Sequence, residues 1–399
     1  MGGGGQGLIA EIPLRSSVVH PRPPRSVAHR GRVACALLSA ATIVAASCTG
    51  ATDAIVLAGD DEPTTTAATT TTLPLPACVA QLTPEQKAGQ LLMVLVPSPA
   101  AAGDLVGAGL VGGYALVGPQ SGDVAGEVAA VASRSRIPVF ASGDEEGGTV
   151  QRFRDMLGAL PSAATLASEH DPAGAARIFG EYGAKLKGLG LNMNFGPSLD
   201  VGGGSGLGTR SFSDDVARVG DFGLAVIGAV EQAGLIPVAK HWPGIGGGVA
   251  DPHKSASPIA PVASLRERDM VPFDRAIAEG LDAIMVSHAI VPDLSDGLPA
   301  SLSRSAITGE LRERHRFEGL VVTDSLGMGA VAAHYDNSAA AVVSIAAGAD
   351  IALVSMATSV LGAHSGLVGA ITSGSIPAEQ IDRSVGRVLT AKGVTGDCP

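Results

Sequence analysis

Five of the chain's apolar runs end in groups able to do chemistry. Asp144 follows the third run, Asp200 the fourth, Lys240-His241 the fifth, Ser287-His288 the sixth and Asp324 the seventh. A carboxylate can serve as nucleophile or base, and a histidine exchanges protons near neutrality because its unperturbed pKa is about 6.5. One such residue would read as a helix cap or a loop ion pair. Five in succession point to a set gathered at one face. His241, Asp251, His253 and His288 lack the compact spacing of a metal-ligand set, so no metal or cofactor is expected. Asp200 and His288 read as supports for the site and not as ligands of a substrate.

Residues so far apart in sequence can meet only if the runs are strands of one body. The runs are Leu91–Val96, Leu110–Val117, Pro138–Ala141, Leu191–Phe195, Ile236–Ala239, Ala283–Val286, Leu320–Thr323 and Ile351–Val354. Most are continuous rather than alternating, as strands buried on both faces require. Eight of them with helical intervals predict an α/β fold, a single (β/α)8 TIM-type barrel with no second sandwich domain. Active sites of that fold sit at the C-terminal strand ends, where these polar residues fall. A doubly wound open sheet is the competitor, but nothing like GxGxxG follows the first run. The Gly202-Gly203-Gly204 and Gly246-Gly247-Gly248 triplets lead into no obvious helix.

The segment Lys240-His241-Trp242-Pro243-Gly244-Ile245-Gly246-Gly247-Gly248-Val249-Ala250-Asp251-Pro252-His253 resembles the signature of glycoside hydrolase family 3, in its β-N-acetylglucosaminidase branch. Three further segments resemble that family in the same order. They are Asp144-Glu145-Glu146-Gly147-Gly148 with Gln151-Arg152, then Gly208-Thr209-Arg210-Ser211-Phe212, then Val322-Thr323-Asp324-Ser325-Leu326-Gly327-Met328. With Gln90-Leu91-Leu92-Met93 as a first strand, the likeness spans nearly all of residues 80–395. It implies Asp324 as nucleophile and Asp251 with His253 as the acid/base pair. It also implies that Asp144, Arg152, Arg210, Lys240 and His241 bind the sugar hydroxyls and acetamide. Retaining glycosidases need a carboxylate beneath the anomeric carbon and a proton donor beside the leaving oxygen. Here a histidine would be the donor, with the aspartate two residues before it orienting the ring.

The chain departs from the pattern at several positions. Ile245 replaces a His, Gly247-Gly248 an Asp-Thr pair, and Pro252 a Ser; Thr149 and Thr209 stand where Arg and Asp are frequent. The resemblance implies an exo-β-N-acetylglucosaminidase acting on peptidoglycan-derived fragments of GlcNAc-MurNAc type. A family 3 β-glucosidase, a phosphorolytic variant and a catalytically silent sugar-binding lipoprotein are the alternatives.

Composition and the chain's first part place that activity. The 399 residues carry a net charge of −11, and residues 1–32 alone carry +4, leaving −15 on the remainder. That sign argues against a nucleic-acid groove. Arg30 and Arg32 precede the uncharged run Val33–Ser47, too short to span a bilayer and of the form of a secretory signal. Ala45-Ala46-Ser47-Cys48 resembles a lipobox, so residues 1–48 read as an export segment with Cys48 lipidated; a plain secretory signal is the alternative. Residues 49–77, with seven Thr and two Ala at 64–72, read as a linker unable to offset its ordering entropy. Residues 78–399 then form the catalytic domain, expected to be exported, held in the cell envelope only through the lipid, and monomeric. Export leaves Cys78 and Cys398 in an oxidising compartment, flanking the domain, and predicts a disulfide between them.

Overall fold

The computed structural model describes residues 75–204, 206–248 and 258–399. The apolar runs form β1 (Leu92–Val96), β2 (Gly113–Leu116), β3 (Phe140–Gly143), β4 (Met193–Asn194), β5 (Ile236–Trp242), β6 (Ala283–Val286), β7 (Leu320–Thr323) and β8 (Ala352–Val354). Helices fill the intervals, among them Pro172–Gly188, Val216–Gln232 and Asn337–Ala347. Asp171, Asp215 and Asp336 start these three by accepting a first-turn backbone N–H, which satisfies a donor the helix itself cannot. The third run enters the sheet later than its sequence suggests. Pro138 has no N–H to give a ladder, so β3 begins at Phe140 and ends directly before Asp144.

All strand pairing is parallel, in two four-stranded sheets ordered β3-β2-β1-β8 and β4-β5-β6-β7. The fold is therefore α/β with parallel sheets, and the expected closed ring of ladders is not formed. Where the two sheets meet, a few backbone bonds, among them Asn192 N–H to the Ala141 carbonyl at 3.1 Å and Thr323 N–H to the Ile351 carbonyl at 3.0 Å, are supplemented by side chains. Between β3 and β4, Asn192 accepts from Ala141 N–H at 2.9 Å and donates to the Val139 carbonyl at 2.8 Å. Between β7 and β8 a single bridge joins Val322 to Ile351, and Thr323 Oγ1 accepts from Leu353 N–H at 3.0 Å. One apolar cluster nevertheless draws on all eight strands through Met93, Ala115, Phe140, Met193, Val238, Met285, Val322 and Leu353. That shared interior holds the strand ends, and the polar residues on them, in fixed relation.

The two ends of the domain are tied together. Cys78 and Cys398 form a disulfide with Cα atoms 4.5 Å apart, and Cys78 N–H donates to the Gly396 carbonyl at 2.9 Å. The bond closes a loop with a sequence separation of 320. Cross-linking removes loop entropy from the unfolded chain, so Cys78→Ser should cost about 3–5 kcal/mol in denaturant unfolding. Intact mass after alkylation without reductant checks the pairing: two labelled thiols in the mature chain would contradict it.

Candidate active site

β5 supplies two neighbouring polar residues to one site, which a regular strand cannot do because its successive side chains point to opposite faces. Ala239 pairs with Ile284 and Trp242 with Val286, so three steps along β5 match two along β6. The extra residue is a bulge, the device that re-aims side chains beside functional sites. Lys240 and His241 lie inside this segment, within the strand rather than after it, joined by a cis peptide.

From Lys240 a chain of alternating charge runs in both directions. Its Nζ donates to Asp144 Oδ1 at 2.6 Å and forms an ion pair with Glu146 Oε1 at 2.6 Å. Arg152 Nη2 meets the other Asp144 oxygen at 2.9 Å. Arg210 forks onto Glu146, with Nε–Oε2 at 2.8 Å and Nη2–Oε1 at 2.7 Å. The same Nη2 reaches His241 Nε2 at 3.1 Å, and His241 Nδ1 lies 2.7 Å from Asp200 Oδ2. A guanidinium can only donate. The contact with Arg210 therefore asks His241 Nε2 to accept, which turns Nδ1 and its proton to Asp200.

The charges sustain one another in a nearly dry setting; Lys240 is only 2% exposed and Asp200 0%. Burial alone would raise the Asp144 carboxyl, but the Lys240 and Arg152 charges outweigh it and hold that group well below the usual range. Glu146 is lowered in the same way, burial being overcome by Lys240 and Arg210. Burial works against the Lys240 ammonium, yet Asp144 and Glu146 raise it above its ordinary value. The chain thus stays ionised through the neutral range. Breaking one partner of such a buried set strands an uncompensated charge, at a cost of about 3–5 kcal/mol.

Asp200 fastens the next segment. Its Oδ1 accepts Ile245 N–H at 2.7 Å and its Oδ2 accepts the Ser198 hydroxyl at 2.8 Å. Ile245, one of the departures from the family pattern, packs with Leu207 and Ala289 in a small apolar cluster. The two glycine triplets pack against each other there. Gly204 N–H donates to the Gly246 carbonyl at 2.9 Å, and a Cβ on either glycine would run into backbone. Among the described residues nothing lies within 4 Å of where a Cβ on Gly247 would go.

Glu145 braces the first arm. Its carboxylate accepts the Tyr182 hydroxyl at 2.7 Å, Phe153 N–H at 3.2 Å and Arg152 N–H. Burial pushes this carboxyl up to about 7, against the pull of those donors. Arg152 Nε is buried without a hydrogen-bond partner among the described residues.

Asp324 directly follows β7, at the same end of the sheet that carries Lys240 and His241. Its Oδ1 accepts Ser325 N–H at 2.7 Å, and among the described residues its carboxylate makes no other hydrogen bond. His288, after the intervening strand β6, has Nε2 2.9 Å from the Ser325 carbonyl and Nδ1 2.7 Å from Ser301 Oγ. It therefore braces the turn on which Asp324 sits.

The residues expected to bind sugar, Asp144, Arg152, Arg210, Lys240 and His241, thus come together, and Asp324 stands on a nearby strand end. Asp251 and His253, and the lipidation candidate Cys48, lie outside the described residues. Sequence reasoning passed over Glu146 and Glu145, although both stand in a quoted motif. Three carboxylates at the mouth of a buried strand are a signal in themselves, because they cannot be buried without cations to meet them. Among the described residues no three His, Cys, Asp or Glu side chains are grouped to hold a metal ion.

Comparison with known proteins adds a family. Residues 83–391 match the glycosyl hydrolase family 3 N terminal domain. The beta-hexosaminidase LpqI of Mycobacterium tuberculosis is 35% identical over 332 residues, which cover 80% of this chain and 85% of that protein. The solved structure of M. tuberculosis LpqI superposes with a TM-score of 0.75 at 34% identity, covering 80% of this chain and 98% of that one. A glycoside hydrolase family 3 beta-N-acetylglucosaminidase from Paenibacillus sp. str. FPU-7 gives a TM-score of 0.76 at 34% identity, covering 79% of this chain and 63% of that one.

Proposed function

The chain belongs to glycosyl hydrolase family 3 and is a glycosidase; from that premise we propose that it is a retaining exo-β-N-acetylglucosaminidase. In this reading it removes terminal non-reducing GlcNAc from peptidoglycan-derived fragments of GlcNAc-MurNAc type. Asp324 attacks the anomeric carbon and forms a glycosyl ester while His253, oriented by Asp251, protonates the departing oxygen. His253 then takes a proton from the water that opens the ester. Asp144, Arg152, Arg210, Lys240 and His241 grip the ring, and the two half-sheets work as one eight-stranded barrel around their shared interior. Residues 1–48 export the chain, Cys48 carries the lipid, and residues 49–77 tether a monomeric domain to the cell envelope.

The observation that carries this reading is the fixed, charge-alternating chain from Arg152 to Asp200, with the Asp324 carboxylate, bonded only to Ser325 N–H among the described residues, on a strand end of the same sheet as Lys240 and His241. Its side chains are locked by one another, and pre-set donors and acceptors are what a neutral polyhydroxylated ring needs for orientation. The relatives named above, a beta-hexosaminidase and a beta-N-acetylglucosaminidase, support the choice of sugar.

Paired aryl substrates test it. The purified chain should hydrolyse the β-N-acetylglucosaminide at least tenfold faster than the β-glucoside, with no dependence on phosphate. Preference for the glucoside, or a sugar 1-phosphate product in phosphate buffer, would replace the reading by a β-glucosidase or a phosphorylase. No turnover of either would leave a sugar-binding protein.

A further inference from the structure

We propose that Glu146 is a positioning residue that also sets specificity, by keeping the sugar pocket electrically compensated so that it takes a neutral ring and refuses anions. The proposal rests on the N-acetylglucosaminidase reading above. One oxygen, Glu146 Oε1, receives both Lys240 Nζ at 2.6 Å and Arg210 Nη2 at 2.7 Å. The two cationic nitrogens are therefore held close together across one oxygen, in a site where little water screens them. Without the carboxylate between them they would repel and separate. Glu146 itself is 5% exposed and is committed on both oxygens, so it braces the groups that touch sugar instead of touching sugar itself.

The charge count makes the second half of the argument. Along the chain the permanent cations Arg152, Lys240 and Arg210 face Asp144, Glu146 and Asp200. Three cations meet three carboxylates. Removing the Glu146 charge leaves this chain with one cation in excess, and leaves Lys240 and Arg210 side by side with no carboxylate between them to keep an oxyanion away. It also removes one of the two carboxylates that face Lys240, the other being Asp144, while the opposing Arg210 charge remains. The ammonium then loses its proton at lower pH.

Glu146→Gln keeps the side chain's size and removes its charge, and Glu146→Asp keeps the charge one methylene short. The test is steady-state hydrolysis of an aryl N-acetylglucosaminide across pH by the full chain, with and without sulfate. In Glu146→Gln the KM should rise on the order of 10–100-fold, the range for a lost charged hydrogen bond. Sulfate should become a competitive inhibitor of that variant though not of the wild type, and the alkaline limb should move to lower pH. Glu146→Asp should recover part of the KM and stay insensitive to sulfate. Should Glu146→Gln not fold, Glu146→Asp alone decides: a raised KM with no sulfate inhibition supports the role, and a wild-type KM overturns it. A Glu146→Gln enzyme with wild-type KM, pH profile and sulfate response also overturns it. Failure of the underlying reading looks different, as the wild type itself would not turn over the N-acetylglucosaminide. In that event the Lys240 side-chain titration followed by NMR needs no substrate: a fall in Glu146→Gln upholds the role, and an unmoved titration overturns it.

Discussion

Asp324→Ala should lower turnover of an aryl N-acetylglucosaminide by at least about 10⁴-fold, the scale on which losing a nucleophile is felt, while the protein keeps its fold. Among the described residues the side chain makes one local bond, to Ser325 N–H, so its removal strands no buried partner there. Among the described residues no neighbouring carboxylate is free to substitute. Asp144 and Glu146 are each gripped by two cations, and Asp200 by His241, Ser198 and the Ile245 amide. Attack by any of them would first require breaking a buried ion pair. Steady-state rates together with a thermal unfolding curve check the prediction. Near-normal turnover by a folded variant would contradict the assignment.

His253→Ala should separate substrates by leaving group. A natural aglycone departs as an alkoxide unless it is protonated, so its cleavage should fall by about 10²–10⁴-fold. A nitrophenyl or dinitrophenyl group leaves without help, so glycosylation of Asp324 should continue. The glycosyl ester then lacks a base to activate water, and product should appear as a burst followed by a slow phase. Pre-steady-state measurement with the two kinds of substrate reads this directly. Equal losses on both, with no burst, would count against an acid/base role. The residues just ahead are well secured, since Asp200 pins Ile245 and the two glycine triplets meet backbone to backbone.

Much of this arrangement was legible in the residue pattern. Buried parallel strands read as unbroken apolar runs, so the positions of Asp144 and Asp324 at strand ends followed from hydrophobicity alone. Geometry that turns on a single residue did not. The bulge at Lys240 and His241 adds one residue to a strand, which leaves the apolar count unchanged and so gives no periodic signal. The two sheets meet where Asn192 and Thr323 add side-chain bonds to a few backbone ones, and ordinary polar residues beside a strand do not announce that role. Glu146 was hidden differently. Its partners lie 64 residues away at Arg210 and further still at Lys240, and charge pairing across such distances becomes visible only once the strands are placed. The Cys78–Cys398 pairing, by contrast, could be reasoned from export and the position of the two cysteines.

Trapping the glycosyl ester tests the central claim most directly. A fluorinated N-acetylglucosaminyl donor with a good leaving group destabilises both transition states but allows the first step, so the ester accumulates. Intact mass followed by peptide mapping locates it. The account predicts one sugar per chain, attached to Asp324 within Val322-Thr323-Asp324-Ser325, and no adduct in Asp324→Ala. A sugar on any other residue, or complete turnover with inversion at the anomeric carbon and no adduct, would contradict it.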